Sequence, residues 1–257
     1  MEALRAALTA DQLEAYALEG VVRLPGAVPA ADVEAMLATL WKRLESWHGH
    51  WRDKPATWTK PHPAQLAARN NDFAAMGSTC VRAIADQLLG AGQWKDPERW
   101  GLPMVTLPGH YDRWDVPCKW HLDIAATPEP PRMVRLFLIL APLEPGGGGT
   151  GYIAGSHRVI RQLARREGAP LNTGMVRKLL VAREPWYAAL ESRRKDEDRV
   201  TRFMSDDGRL DGVPVRVCEM TGEPGDMFLM DPLMMHATTP NAGASPRMML
   251  MDGIYAA

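Results

Sequence analysis

The sequence predicts a mainly β protein with helices gathered toward its N-terminal end, on three observations. From residue 100 onward the chain breaks into short apolar or alternating runs, separated by turn residues such as Pro145–Gly149 and Glu223–Asp226. Ahead of residue 100, apolar residues recur instead at helical spacing. No internal repeat, low-complexity tract or linker divides the two parts, so residues 1–257 are expected to form one domain.

The elements follow in order. Thr9 or Asp11 caps a helix through Leu13, Tyr16 and Leu18 that Gly20 stops, and Met1 to Gly20 as a whole reads as a polar amphipathic helix, not a signal peptide. Val21–Leu24 is a short strand turned by Pro25-Gly26. Ala30 to Trp47 carries Val33, Met36, Leu37, Leu40, Trp41 and Leu44 on one helical face, and Met76 to Leu89 forms another helix ending at Gly90. Between these helices, Trp47 to Pro63 is rich in Trp, His and Pro, as an ordered covering loop would be. Strands are expected at Met104–Leu107, Met133–Leu140, Val213–Met220, Met227–Met230 and Met248–Ile254. Many short strands with Gly/Pro turns favour a sandwich or barrel with antiparallel pairing. The stretch Val159 to Leu210 is an insertion or lid region with charged, helical character.

Bulk composition excludes several classes. Hydrophobic residues make up 46% and charged residues 24%, ordinary for a soluble globular chain, and the net charge of -1 offers nothing to nucleic acid or an anionic membrane. No apolar stretch is long enough to span a bilayer. The 3 cysteines, Cys80, Cys118 and Cys218, are odd in number and widely spaced, which argues against a disulfide framework and for a cytoplasmic location.

The chemistry lies in four residues. Trp120-His121-Leu122-Asp123 ends one apolar-rich run and Met235-His236-Ala237-Thr238 ends another. Residues two apart on a strand share a face, so His121 and Asp123 would look into one cavity, and His236 and Thr238 likewise. Two histidines and one carboxylate are the ligand set of non-haem Fe(II) oxygenases, which leaves the other metal positions open. Arg247 opens the last strand with the same alternation as Met249 and Met251. A guanidinium aimed into an apolar barrel needs an anion, and a carboxylate fits its planar fork.

Other signals carry less. His110-Tyr111-Asp112 repeats the His-x-Asp spacing but follows Leu107-Pro108-Gly109 and sits in a turn. Gly146-x-Gly148-x-x-Gly151 fits a dinucleotide pattern literally, yet Tyr152-Ile153-Ala154-Gly155 after it is no helix start and no βαβ unit surrounds it, so Gly146 through Gly151 reads as a loop. His48-Gly49-His50 lies among tryptophans without an acid nearby. Arg158, Arg161, Arg165 and Arg166 form a basic helix face of the kind that is usually solvated. Trp58, Arg113, Trp114, Arg183, Trp186 and Tyr187 are candidates for a substrate pocket or, more simply, for packing.

With these residues in view, the chain resembles the phytanoyl-CoA dioxygenase-like family of Fe(II)/2-oxoglutarate oxygenases. The matching stretches are Glu19–Gly26, Trp120–Asp123, Gly149–His157, Pro224–Asp226 and Met235–Thr238 continuing to Pro246-Arg247. The resemblance implies a double-stranded β-helix, a jelly-roll or cupin-like barrel wrapped by N-terminal helices. It implies that His121, Asp123 and His236 bind Fe(II), and that Arg247, assisted by Thr238, pairs with the far carboxylate of 2-oxoglutarate. Oxygen would be the oxidant, a small molecule the substrate, and succinate and carbon dioxide the by-products. His157 is expected to be structural or to sit behind the ligands. Asp123 stands where halogenating relatives carry a small residue, which implies hydroxylation. Epimerisation, desaturation or ring formation on the same scaffold is the alternative, with a non-catalytic dicarboxylate- or metal-binding barrel as the third.

Overall fold

A computed structural model describes residues 8–63, 66, 70–130, 132–192, 199–205 and 208–257. The Met1 end of the expected first helix therefore lies outside the described residues. Helix α1 (Ala10–Glu19) starts on a capping box, in which Thr9 accepts from the Gln12 amide and the Gln12 side chain accepts from Thr9. Gly20 ends it at φ 77°, and a Cβ there would lie 2.2 Å from Met234 Cε and 2.4 Å from His157 Nδ1. The close approach and the left-handed backbone both demand glycine. Strand β1 (Val21–Leu24), α2 (Ala30–His48) and α3 (Thr79–Leu89) follow, with Ser78 capping α3.

The strands are β2 (Leu102–Thr106), β3 (Met133–Ile139), β4 (Thr150–Ala154), β5 (Gly208–Leu210), β6 (Val213–Glu219), β7 (Met227–Met230), β8 (His236–Thr238) and β9 (Arg247–Tyr255). They form a major sheet in the order β1-β7-β3-β9-β2 and a minor sheet in the order β5-β6-β4-β8, with every pairing antiparallel. β3 is buried along its whole length, as a central strand covered on both faces must be. Its alternate residues divide between two cores. Val134, Leu136 and Leu138 pack with Val33, Met36 and Leu40 of α2 and Val81 and Ile84 of α3, whereas Phe137 and Ile139 join Phe228, Met230 and Met249 between the sheets.

Helices α4 (Ser156–Glu167), α5 (Thr173–Arg183), α6 (Pro185–Glu191) and α7 (Arg199–Met204) occupy the stretch read as an insertion. Val159, Ile160, Leu163, Leu180, Tyr187 and Phe203 pack with Ile153, Val215 and Val217, covering the outer face of the minor sheet. Trp186 meets Phe203 edge-on, and the Tyr187 hydroxyl donates to Glu191 at 2.7 Å, so both aromatics serve this packing. Among the described residues no helix is long and apolar enough to cross a membrane.

One expectation is corrected. The glycine-rich stretch is a loop only as far as Gly149, and Thr150–Ala154 is strand β4 at the centre of the minor sheet. Glycine hides it because the backbone approaches its neighbours closely. A Cβ on Gly149 would lie 2.0 Å from the Met220 carbonyl oxygen, and one on Gly151 2.9 Å from Thr239 Cγ2.

Asp226 ties β1 to the turn before β7. Its carboxylate accepts from Arg23 Nε, Gly26 N and Glu223 N, each at 2.9 Å, and is 4% exposed. Asp226→Ala strands those donors and is expected to cost about 2–3 kcal/mol. Chemical denaturation of the variant beside wild type measures this, and an unchanged midpoint would show that the clamp contributes nothing.

Candidate metal centre

A turn at Asp231 delivers the chain to β8. The Asp231 side chain accepts from Leu233 N at 2.8 Å, and its carbonyl accepts from Met234 N at 3.0 Å. Ser156 Oγ then accepts from Met235 N at 3.0 Å, and the Met235 carbonyl accepts from Ile153 N at 2.9 Å. His236 is thereby set in register at the start of β8.

His121 meets it through the backbone. His121 N donates to His236 O at 2.9 Å, and His236 N returns a bond to His121 O at 3.1 Å. Directly opposed residues of an antiparallel pair point to the same face. The two imidazoles accordingly lie 4.3 Å apart between centroids. Asp123 faces the same way, as alternation predicts, but its segment is a bridge followed by a bend, not a continuous strand. Thr173 Oγ1 accepts from Leu122 N and donates to Leu122 O, both at 3.1 Å, filling the place of a neighbouring strand. Leu122 turns its side chain away into the core beneath α5.

One ligand atom from each of His121, Asp123 and His236 lies within 4.8 Å of the others. Asp123 Oδ1 is 3.7 Å from His121 Nε2 and 3.4 Å from His236 Nε2, while Oδ2 is 3.0 Å from Arg135 Nε. His236 Nδ1 donates to the Met234 carbonyl at 3.0 Å, which leaves Nε2 with its lone pair toward the other ligands. Burial pushes the Asp123 carboxyl up, but His236, Arg135 and His121 outweigh it and hold it at about 2. Burial and His236 lower His121, against Asp123 and the Lys119 carbonyl. An ionised Asp123 carboxylate and a His121 imidazole that loses its proton readily are what a divalent cation requires of these two ligands.

Arg247 stands opposite Thr106 in the β2·β9 pair, and Thr238 opposite Thr150 in the β4·β8 pair. Strand parity with Met104, Met249, Tyr152 and His236 turns all four side chains toward the space between the sheets. Arg247 is 3% exposed; Nη1 donates to the Gly148 carbonyl at 3.0 Å, whereas Nε has no partner among the described residues. Burial pushes its pKa down to about 10, countered by Glu219, so it remains a cation at neutral pH. The Thr106 and Thr150 hydroxyls are also buried and, among the described residues, unpartnered. Thr238 is exposed, and its hydroxyl makes no hydrogen bond among the described residues. A buried cation with two unsatisfied hydroxyls is a cradle for an anion.

The residues set aside in the sequence lie elsewhere. His110 Nε2 pairs with the Trp58 carbonyl at 3.0 Å, and His50 Nδ1 with the Thr57 carbonyl at 2.6 Å. His157 Nε2 bonds the Ala17 carbonyl at 3.1 Å, anchoring α1. In the glycine loop, the Gly146 and Gly149 amides donate to Glu219 at 2.8 and 2.9 Å, so they are not free to cradle a phosphate. Trp114 Nε1 donates to the same carboxylate at 3.0 Å. Arg183 pairs with Glu167 at 3.0 Å on the surface. Sequence reasoning passed over Arg135, Thr173, Glu219 and His62. The last reaches Arg247 electrostatically from the Trp-rich loop, whose Pro61 carbonyl accepts from Leu107 N at 2.8 Å. His110→Ala should leave metal content measured by elemental analysis intact, and loss of metal would move the site to the other His-x-Asp. Thr173→Val is expected to weaken metal affinity by ~10–100-fold through the loosened Leu122 backbone, and an unaltered dissociation constant would refute that.

Structurally, the chain is similar to EctD from S. alaskensis with 2-oxoglutarate and 5-hydroxyectoine, at 19% identity, TM-score 0.57 and coverage of 97% of this chain and 76% of that one. It is similar to HygX from Streptomyces hygroscopicus with nickel and 2-oxoglutarate bound, at 17% identity, TM-score 0.53 and 97% and 88% coverage. The α-ketoglutarate-dependent epimerase SnoN from nogalamycin biosynthesis matches at 17% identity, TM-score 0.53 and 96% and 82% coverage. These likenesses establish the fold. Comparison with curated proteins by sequence finds no match. Residues 16–249 match the family described as phytanoyl-CoA dioxygenase (PhyH), and the chain belongs to that family.

Proposed function

We propose that this protein is an Fe(II)- and 2-oxoglutarate-dependent dioxygenase that hydroxylates a small molecule. The observation that carries the proposal is the convergence of His121, Asp123 and His236 together with a buried Arg247, turned by strand parity toward the same space between the sheets, whose Nε lacks an acceptor among the described residues. The donor set fits the metal: two imidazole nitrogens and one carboxylate oxygen suit non-haem iron and leave coordination positions open. The cradle fits the cosubstrate, since a terminal carboxylate would satisfy the fork of Arg247 and accept from Thr238. Bound iron, 2-oxoglutarate and O2 supply the oxidation, with succinate and carbon dioxide released as a substrate C–H bond is hydroxylated.

The chain's own groups orient and shield that chemistry. Asp123 would offer Oδ1 to the metal, because Oδ2 faces Arg135. The Met234 carbonyl fixes the ring and tautomer of His236. Phe137 stands edge-on to that ring at 6.4 Å, and the Met230, Met234 and Met249 layer keeps bulk water from the buried side. Residues 1–257 would work as one catalytic domain with the 159–210 stretch as an accessory region, in the cytoplasm. The substrate would come from solution, without nucleic acid or membrane as a partner.

Anaerobic titration with Fe(II) and then 2-oxoglutarate should produce the weak visible charge-transfer band of the chelate. Asp123→Ala is expected to lose it through lost iron, and Arg247→Ala to need ~100-fold more 2-oxoglutarate, as removal of a buried charge-assisted pair implies. Iron binding without a band would sink the cosubstrate assignment. Mass analysis of products separates hydroxylation from epimerisation, desaturation or ring closure.

A further inference from the structure

Arg135 interrupts the apolar run of β3, where Met133, Val134, Leu136 and Phe137 surround it in sequence. Its register partners are Met230 on β7 and Gly253 on β9. Parity with Phe137 and Ile139 turns it into the layer between the sheets, where its side chain is 11% exposed. A Cβ on Gly253 would lie 3.0 Å from Arg135 Nη1, so glycine opposite leaves the room the guanidinium occupies.

The guanidinium is poorly satisfied for so buried a charge. Nε lies 3.0 Å from Asp123 Oδ2 but is not directed into a hydrogen bond. Nη1 meets only the Met251 thioether, at 3.5 Å, and Nη2 has no acceptor among the described residues. Asp252, the other nearby acid, accepts instead from Gly101 N at 2.8 Å and Gly253 N at 2.7 Å. Among the described residues the carboxylate in contact with Arg135 is that of Asp123, the same one that faces the two histidines, while Asp252 reaches it only electrostatically. A metal there would draw on that negative charge and leave the buried cation undercompensated. An arginine whose task was only to steady Asp123 would direct an N–H onto Oδ2; here the outer edge of the fork stays unused.

We propose that Arg135 receives an anionic group of the primary substrate, so that this enzyme takes a small carboxylic acid and holds it beside the metal position. This rests on the oxygenase reading of the site. A planar carboxylate matches the fork. The single positive charge and the flanking Met230 and Met251 suit a monoanion better than a phosphate, which needs further donors. The carbon oxidised would then lie within a few bonds of that carboxylate.

The test uses full-length protein saturated anaerobically with Fe(II) and 2-oxoglutarate. A panel of short-chain, amino and hydroxy monocarboxylic acids is titrated in, each beside its methyl ester. Binding is read from the shift of the charge-transfer band and from paramagnetic broadening of the probe's proton resonances. At least one acid should bind while its ester does not. Arg135→Gln should weaken that acid by ~10–100-fold and erase the preference over the ester, and Arg135→Lys should retain part of it. Equal binding of acids and esters, no binding by any acid, or a preference that survives Arg135→Gln would overturn the proposal. A band lost from Arg135→Gln at saturating iron would also overturn it, confining Arg135 to positioning Asp123. Absence of the band in wild type would sink the oxygenase reading first, and this inference with it.

Discussion

The amide of His121 donates to the carbonyl of His236, the amide of His236 returns the bond, and the rest of the site is arranged around that exchange. Residues distant in sequence acquire a shared face from backbone register, before any side chain chooses a rotamer. β8 runs only from His236 to Thr238, so it has no length over which to average a misalignment. A slip by one residue would send His236 into the outer core and bring Ala237 inward. Asp231 and Ser156, which grip the chain just ahead of β8, are therefore as necessary to the site as the residues that point into it.

The site and its surroundings hold several charges, and each is handled differently. Glu219 is pushed up by burial, yet it accepts from two loop amides, the Trp114 indole and the Thr239 hydroxyl, which favour its ionised form. That carboxylate holds the glycine loop closed and supplies Arg247 with a distant countercharge. Asp123 stays ionised because three basic groups surround it. Arg247 and Arg135 remain under-partnered. Their desolvation is borne by the surrounding sheets, which is tolerable only in a molecule with extensive apolar cores on the outer face of each sheet.

Much of this was legible in the chain. Binary patterning located β3, β6, β7 and β9 to within a residue or so, because each alternates or runs apolar between clear turns. The motif residues were legible for a different reason: His121, Asp123, His236 and Arg247 are chemically conspicuous among apolar neighbours. β4 was not, since Gly149 and Gly151 read locally as turn formers, while their real cause is the closeness of Met220 and Thr239 across the sheet. Thr173 and Glu219 act through contacts that no local pattern encodes, each bonding residues far away in sequence. Arg135 did carry a signal, a lone cation in an otherwise apolar strand, but its meaning depends on Asp123 lying beside it.

The loop bearing His121 has a second effect, unrelated to chemistry. β8 is the last strand in the minor sheet's order, and such a strand offers free amides and carbonyls to any passing chain. His121 occupies part of that edge with its own backbone. The segment that would carry the metal thus also works as a partial cover against intermolecular strand pairing. Loosening it would then expose a sticky edge, linking loss of the metal site to self-association.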